Sequence, residues 1–296
     1  MLEDKKLRLS ITGGSGVGIL KFEECQMKTY WFLQGWRLRF MPYHLAMGIV
    51  VHDANFQNWD NPNRQRPTDY FKENFNDQIK NNETGELQPV SMVDMDYDQH
   101  KKNILHGSLI TAQAERILPR NDIKAVETKL ESSIINPENG IVDPEFEDSL
   151  LLCGKRDILE TNSISDLKTS SVELKKDDLD YGAYYLQTET YRYLTAVKSE
   201  TFHNVKIYNV TKHKIPRASV IETKRTDADF FIFYKFLKNA CRKLMNCIKT
   251  NTWEKNLTQC KTLYGTCQYY ALCHGHKFAS PEKEIDKKLY KKEDKK

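Results

Sequence analysis

The amino-acid sequence predicts an α/β protein in which helices flank a central β-sheet. Between residues 150 and 168 an apolar run, a group of turn-forming residues and an alternating apolar and polar run follow one another, which predicts two strands joined by a tight turn. Apolar residues at helical spacing occur both before and after this hairpin. A partly alternating run at 203–211 predicts a further strand.

The other elements follow from the same periodicities. Helices are predicted at 18–33, 43–59, 98–118, 181–196 and 227–250. Further strands are predicted at 124–132 and 219–223, and residues 60–95, rich in Asn, Asp, Gln and Pro, predict a loop with one short helix. The glycine-rich segment 11–18 lacks the lysine that follows the last glycine of a phosphate-binding loop, so we interpret it as an entry to the first helix.

The composition is typical of a globular chain with a sizeable core, since 39% of the 296 residues are apolar. No apolar run is long enough to span a membrane, and the charged N-terminal residues differ from a signal peptide. We therefore expect a soluble, cytoplasmic protein. The net charge of +4 does not by itself indicate nucleic-acid binding. The odd number of cysteines, seven, favours metal binding or burial over a disulfide framework.

The predicted hairpin brings three charged side chains together. Asp166 and Lys168 project from the same face of the second strand, and Asp157 on the facing strand can approach Asp166. Two neighbouring carboxylates repel each other unless a cation lies between them, and Mg²⁺ is bound by carboxylates, waters and substrate phosphate. The lysine could orient an attacking water or stabilise phosphate charge. The alternative is a surface ion pair of little energetic value.

Three motifs around this hairpin resemble those of the PD-(D/E)XK nuclease superfamily, in its RecB-like branch of iron–sulfur exonucleases. The motifs are Gly154-x-x-Asp157, Asp166-Leu167-Lys168-Thr169 and Gln187-x-x-x-Tyr191. The branch includes CRISPR-associated adaptation exonucleases, AddB-type nuclease domains and phage exonucleases. With its flanking segments, the resemblance spans about residues 15–275.

The resemblance implies a restriction-endonuclease-like core, with a central mixed sheet flanked by helices. A single nuclease domain is expected at 1–280, with its core at about 120–215, a helical cap at 15–118 and a C-terminal helix and cysteine segment at 225–276. Residues 281–296 are charged and poor in apolar side chains, so we expect a disordered tail.

The resemblance also implies a catalytic metal site. Gly48-x-x-x-His52 resembles the family helix whose histidine points at the metal, although an ordinary half-buried histidine is the alternative. The residues expected to hold Mg²⁺ or Mn²⁺ are His52, Asp157, Asp166 and Leu167, the last through its carbonyl. Lys168 would position the attacking water. Gln187 and Tyr191, four residues apart on a predicted helix, would help to position DNA or the lysine.

Other residues near these motifs have two interpretations each. Glu127, on the strand predicted at 124–132, could assist the metal or face solvent. Three tyrosines of the helix at 181–196 could stack on bases or belong to the core: Tyr184, Tyr185 and Tyr193.

Four cysteines resemble the ligands of the family's 4Fe-4S cluster. Cys260, Cys267 and Cys273 lie close together in the chain, and Cys25 matches the family's N-terminal cysteine. A cluster held by these four would join the N- and C-terminal helical segments and would be structural. The six residues between Cys260 and Cys267 depart from the two-residue spacing of several family members. Zinc therefore stays an alternative, with His274 and His276 as further donors.

These features lead to one main functional hypothesis, a Mg²⁺- or Mn²⁺-dependent deoxyribonuclease. By resemblance, we expect an exonuclease that hydrolyses phosphodiester bonds at DNA ends in recombination, repair or phage replication. Its expected partners are DNA and recombination or replication proteins, in the cytoplasm of a bacterium or a phage-infected host cell. One alternative is a non-catalytic protein that keeps the nuclease scaffold and serves in nucleic-acid binding or assembly. The other is an iron–sulfur redox protein.

Overall fold

A computed structural model of the chain describes residues 6–13, 16–76, 78–80, 87–90, 97–198, 201–262, 265–274 and 290–292. Its strands are β1 (Leu7–Ser10), β2 (Val17–Gly18), β3 (Trp36–Leu38), β4 (Gln78–Lys80), β5 (Leu87–Pro89), β6 (Ile123–Ser132), β7 (Ile135–Asn136), β8 (Ile141–Val142), β9 (Leu150–Glu160), β10 (Ser163–Ser170), β11 (Asn204–Thr211), β12 (Ala218–Lys224), β13 (Lys261–Thr262), β14 (Gly265–Thr266) and β15 (Tyr290–Lys292). Its helices are α1 (Ile19–Glu24), α2 (Gln26–Leu33), α3 (Tyr43–Phe56), α4 (Pro67–Asn74), α5 (Tyr97–Ile117), α6 (Lys176–Asp180), α7 (Gly182–Ala196), α8 (Asp227–Thr250) and α9 (Tyr270–His274).

The predicted periodicities account for most of these elements. Helix α8 has the expected bounds, and its buried side chains recur at helical spacing along one stripe. They are Phe230, Phe233, Tyr234, Leu237, Ala240, Cys241, Leu244 and Cys247. The helix expected at 18–33 is instead two helices, α1 and α2, because Cys25 between them has an extended backbone with φ −165° and ψ 113°.

The chain divides into two compact units. The first unit comprises Met1–Arg39, Glu131–Gly154 and Ala228–Lys296, and the second comprises Phe40–Leu130 and Lys155–Asp227. The single domain predicted at 1–280, with its core, cap and C-terminal segment, stays a prediction. Within the described ranges, no helix combines the length and the apolar character needed to cross a bilayer.

In the first unit, β1 pairs in parallel with β2 and with the first residues of β9. Helix α8 is tied to the loop before β9, because Tyr234 Oη donates to Asp143 at 2.5 Å and Lys238 Nζ donates to the same carboxylate at 2.8 Å. Strand β15 pairs antiparallel with β3, and its Tyr290 packs in an apolar cluster with Trp31 of α2. Strand β15 lies within the tail 281–296, whose disorder stays a prediction. The other residues of that tail lie outside the described part of the chain.

The rest of β9, from Lys155 to Glu160, belongs to the second unit and pairs antiparallel with β10. Strand β10 pairs in parallel with β11 from Ser163 opposite Asn204 to Ser170 opposite Thr211, and β11 pairs antiparallel with β12. A parallel pair needs a crossover connection, which α6 and α7 supply. The sheet is therefore mixed, as predicted, and β12 lies at its edge.

Helices cover both faces of β10. Leu167 belongs to an apolar cluster with Val51 of α3 and residues of α5, whereas Ile164 packs with Tyr191 of α7. Successive side chains of a strand alternate between its two faces. Asp166 therefore shares the face of Ile164 and is covered by α7.

Candidate metal centre

The β9–β10 hairpin positions the two carboxylates predicted from the sequence. Ser165 lies opposite Ile158, so that Asp166 and Asp157 follow in register and project from the same face. The main-chain N–H of Leu167 donates to Asp157 Oδ2 at 3.2 Å. Asp157 is 7% exposed and Asp166 is 1% exposed. Both carboxylates are therefore largely removed from solvent.

The two carboxyl groups are close enough to share one proton, and their pKa values differ for this reason. Burial raises the pKa of Asp166 to about 7, and the negative charge of Asp157 adds to the effect. Burial acts on Asp157 in the same direction, but the positive charges of His52 and Lys168 outweigh it. The pKa of Asp157 therefore lies below its ordinary value. Below about pH 7 the pair holds one proton, which a bound cation would displace.

Lys168 lies directly beside this pair, with its Nζ 2.6 Å from Asp166 Oδ2. Asp166 therefore lies next to a second carboxyl group, that of Asp157, and next to one ammonium group, that of Lys168. Burial lowers the pKa of Lys168, but the charges of Asp166 and Asp157 outweigh it, so the pKa lies above its ordinary value. The ammonium stays charged. Two buried carboxyl groups beside one ammonium group leave negative charge that a divalent ion can compensate, so Asp166 fits a metal ligand.

Two further donor side chains, His52 and Glu127, meet beside Asp157. His52, Glu127 and Asp157 each offer one ligand atom, and these atoms lie within 4.8 Å of one another. His52 Nδ1 is 3.4 Å from Asp157 Oδ2 and 3.9 Å from Glu127 Oε1. Carboxylate oxygens suit Mg²⁺ and Mn²⁺, and imidazole is a common ligand of transition metals. The group can therefore hold a divalent ion.

Glu127 has an unusual backbone conformation, with φ 52° in the left-handed region. Few residues other than glycine adopt this conformation, and those that do are concentrated at functional sites. Lys155 of β9 forms an ion pair with its carboxylate. Glu127 lies in the middle of β6, and its carboxylate is 3.9 Å from His52 Nδ1. We therefore interpret its side chain as facing the site and not solvent.

Helix α7 places Gln187 and Tyr191 next to the carboxylate pair. Gln187 Nε2 donates to Tyr191 Oη at 2.7 Å. Burial raises the pKa of Tyr191 well above its ordinary value, and the charges of Asp166 and Asp157 add to it. The phenol is therefore neutral at any physiological pH, and the amide and the hydroxyl form one fixed pair.

The three tyrosines of α7 that could either stack on bases or belong to the core lie in different environments. Tyr193 is 3% exposed and belongs to the core, so it cannot stack on a base. The Tyr184 ring lies 5.9 Å from Lys168 Nζ, and the Tyr185 ring lies 4.7 Å from the Arg225 guanidinium. Tyr184 is thus the tyrosine of the three that contacts the candidate site.

A buried ionic network holds α7 in place. The side chains of Glu189 and Arg192 are completely buried and pair at 2.6 Å. Arg225 Nε donates to Glu189 at 3.0 Å, and Arg156 of β9 donates to Thr195 Oγ1 at 2.9 Å. The helix that carries the amide and the hydroxyl of the site is therefore fixed in orientation.

The prediction from sequence did not include Lys155 and Arg156. Strand alternation places Lys155 on the same face as Asp157, and this signal could have identified it. Arg156 has no comparable local signal, because the Thr195 that it contacts is 39 residues away in the chain.

The four predicted cluster cysteines lie in the first unit as unpaired thiols. Burial raises the pKa of Cys267, and the nearby charges of Cys25 and Cys260 add to it. Burial also raises the pKa of Cys273, and Cys267 and Cys25 again contribute. The four sulfurs are thus electrostatic neighbours, although the chain separates Cys25 from the others.

Nitrogen atoms surround these sulfurs. Trp31 Nε1 donates to Cys273 Sγ at 3.1 Å, and the main-chain N–H of Asn256 donates to Cys25 Sγ at 3.4 Å. His274 Nε2 lies 3.3 Å from the sulfur of Cys260. His276 lies outside the described residues. Donors of this kind stabilise thiolates, the form that binds metal.

The fold and the site together define an α/β protein with a mixed, helix-flanked sheet and a candidate divalent-metal centre. In structure the chain is similar to a proposed exonuclease from Eubacterium rectale, with a TM-score of 0.55, 14% sequence identity and 90% of each chain covered. No family model matches the sequence, and no curated protein is significantly similar to it. At this identity the similarity shows the fold, and it agrees with the nuclease architecture expected from the sequence.

Proposed function

We propose that the protein is a Mg²⁺- or Mn²⁺-dependent deoxyribonuclease of the RecB-like PD-(D/E)XK type. One observation carries the proposal: the buried carboxyl group of Asp166 lies next to the carboxyl group of Asp157 and to the charged Lys168, and its pKa is raised to about 7. Buried ionisable groups with opposed pKa shifts are typical of catalytic sites. A purely structural ion pair between Asp166 and Lys168 would not account for the second carboxylate, Asp157, or for His52 beside it.

The donor set suits a divalent ion. The residues that would hold it are His52, Glu127, Asp157, Asp166 and Leu167, the last through its carbonyl. A divalent ion in such a site lowers the pKa of bound water and neutralises charge on the phosphate. Asp157, with its lowered pKa, is ionised and ready to bind, whereas Asp166 must first release its proton.

Lys168 has a different task from that of the carboxylates. Because its pKa is raised, the ammonium acts as a hydrogen-bond donor and a positive charge, not as a base. It orients the attacking water or stabilises the developing charge on a phosphate oxygen. Gln187 and Tyr191 form a neutral wall beside it and keep the substrate phosphate next to the carboxylate pair.

DNA ends are the substrate that we propose. The motif resemblance supports this choice, and so does the structural similarity to a protein described as a proposed exonuclease. By the same resemblance, we place the activity in recombination, repair or phage replication, together with proteins of those processes, in the cytoplasm of a bacterium or an infected cell.

We also propose that Cys25, Cys260, Cys267 and Cys273 hold a 4Fe-4S cluster in the first unit. The other cysteines act on the pKa values of Cys267 and Cys273, so the four thiols are near one another. A 4Fe-4S cubane prefers four cysteine ligands. Zinc stays the alternative, because His274 Nε2 lies 3.3 Å from Cys260 Sγ.

The test is digestion of end-labelled single- and double-stranded DNA by anaerobically purified protein with Mg²⁺ or Mn²⁺. We expect progressive shortening from the ends, and a loss of roughly 100-fold or more in Asp157→Asn and Asp166→Asn. The matched control is Asp69→Asn, a half-exposed aspartate of α4, which should digest DNA like the wild type.

Two results would contradict the proposal. Full activity in Asp157→Asn would assign the digestion to a contaminant. Binding of DNA by the wild type without any cleavage would instead support the non-catalytic alternative.

A further inference from the structure

The loop between β11 and β12, residues 212–217, has no place in the catalytic chemistry above. Its sequence is Lys-His-Lys-Ile-Pro-Arg. Lys168 of β10 lies opposite Asn209 of β11, and the two strands run in parallel. The loop therefore begins three residues beyond the catalytic lysine at the same edge of the sheet, a distance of about 10 Å at ~3.3 Å per residue.

This β11–β12 loop is fastened by side chains and main-chain groups of three neighbouring elements. Lys212 Nζ donates to the carbonyl of His44 at the start of α3, at 3.0 Å. His213 Nε2 lies 2.8 Å from the carbonyl of Ser171, directly after β10, and His106 Nε2 of α5 lies 2.8 Å from the carbonyl of His213. These contacts hold the loop in a defined position relative to the carboxyl end of β10.

The outer surface of the loop is apolar at its tip and basic on both sides. Ile215 is 78% exposed. The side chains of Lys214 and Arg217 form no ion pair or hydrogen bond within the part of the chain that the structure describes. Val172 and Leu45, which follow β10 and begin α3, are 61% and 50% exposed. A single exposed apolar residue is common on protein surfaces, but here it lies between free cations next to a candidate phosphate site.

This combination fits a nucleic-acid strand. Exposed cations bind backbone phosphates, and an exposed apolar side chain packs on the face of a base. An unpaired strand exposes the faces of its bases along its length, whereas a duplex exposes them only at its ends or where a step is unstacked. One acid, Glu173, is two residues from Ser171, whose carbonyl contacts the loop, and the cations of the loop outnumber it. A purely basic loop would indicate phosphate contacts alone, so Ile215 is the feature that selects the class of substrate.

We propose that the β11–β12 loop binds the unpaired end of the DNA strand that is cut. Lys214 and Arg217 contact its phosphates, and Ile215 packs on an exposed base. The proposal rests on the nuclease function proposed above and deepens it, because it assigns single-stranded or frayed ends as the substrate class.

Binding is measured in EDTA, so that no cleavage occurs, by fluorescence anisotropy of a labelled single strand and of a blunt duplex. We expect the wild type to bind the single strand about tenfold more tightly than the duplex. The double variant Lys214→Glu with Arg217→Glu should lose about tenfold or more in affinity for the single strand. Its log–log salt slope should fall by about 1.4, since each phosphate contact contributes ~0.7 on single strands. The control is Lys235→Glu with Lys249→Glu on exposed positions of α8, which should bind like the wild type.

A second pair of variants tests the contact with the base. Ile215→Ser should weaken binding of the single strand about fivefold, and it should have no effect on the same strand with abasic terminal positions. The matched control is Ile232→Ser, at an isoleucine of α8 that is 58% exposed. An equal loss on both strands would show that Ile215 does not contact a base and would overturn its role.

The outcomes separate this inference from the nuclease proposal. If the wild type digests DNA and both loop variants bind and digest like it, the loop assignment is wrong and the nuclease stands. If the wild type binds single strands through the loop but does not cleave them with Mg²⁺ or Mn²⁺, the nuclease is wrong and the loop assignment stands.

Discussion

Metal binding at the carboxylate pair should be coupled to the release of a proton from Asp166. The pKa of this carboxyl is about 7, compared with an ordinary value of 3.8. A difference of about 3 units corresponds to about 4 kcal/mol for ionising Asp166 beside Asp157. A divalent ion must displace this proton before it can use both carboxylates. The apparent affinity for Mn²⁺ should therefore fall about tenfold for each pH unit below about 7, and should level off above that pH.

Isothermal titration of Mn²⁺ into the protein, in buffers of different ionisation enthalpy, counts the protons released. At about pH 6 the wild type should release about one proton more per bound ion than Asp166→Asn. The control Asp69→Asn, a half-exposed aspartate of α4, should release the same number of protons as the wild type. Equal release by wild type and Asp166→Asn, or an affinity that is constant from about pH 5.5 to pH 8, would refute the reasoning.

Three further predictions concern other parts of the molecule. Lys168→Ala should lower kcat about 100-fold or more, because the ammonium acts on water or phosphate. It should not weaken Mn²⁺ binding by titration, and a lost metal site would contradict this role. Arg192→Ala should reduce the free energy of unfolding by about 3–5 kcal/mol in urea, because it removes one of the two arginines that pair with the buried Glu189 and leaves a large buried side chain's volume empty. Arg242→Ala, at an exposed ion pair, should have little effect, and equal losses would disprove the role of burial. Cys273→Ser should lower the iron and sulfide content of anaerobically purified protein, whereas Cys241→Ser at a buried cysteine of α8 should leave it unchanged. Equal iron in both variants would remove the cluster proposal.

The local parts of the fold and site could be predicted from the sequence. Strand alternation and turn residues are properties of neighbouring positions, so the β9–β10 hairpin and the shared face of Asp157 and Asp166 follow from them. The stripe of α8 follows from helical spacing in the same way. His52 is different, because nothing in its own segment shows that it reaches Asp157. The resemblance to a family indicated it.

The remaining features depend on contacts between distant segments or on strain. Helical periodicity continues through Cys25, yet the backbone is extended there, and the main-chain N–H of Asn256 donates to its sulfur from 231 residues away. The left-handed backbone of Glu127 cannot be predicted, since glutamate has no preference for it. The ion pair between Glu127 and Lys155 joins two strands whose pairing the sequence did not specify. The division into two units also has no counterpart in composition at its boundaries.

The central claim is that Asp157 and Asp166 bind a divalent ion next to His52. Anomalous diffraction from crystals soaked in Mn²⁺ at about pH 8 tests it most directly. We predict a peak within coordination distance of both carboxylates and His52 Nδ1, and its loss in Asp157→Asn crystals. A wild-type map with manganese peaks only elsewhere on the molecule, or an unchanged peak in Asp157→Asn, would contradict the claim.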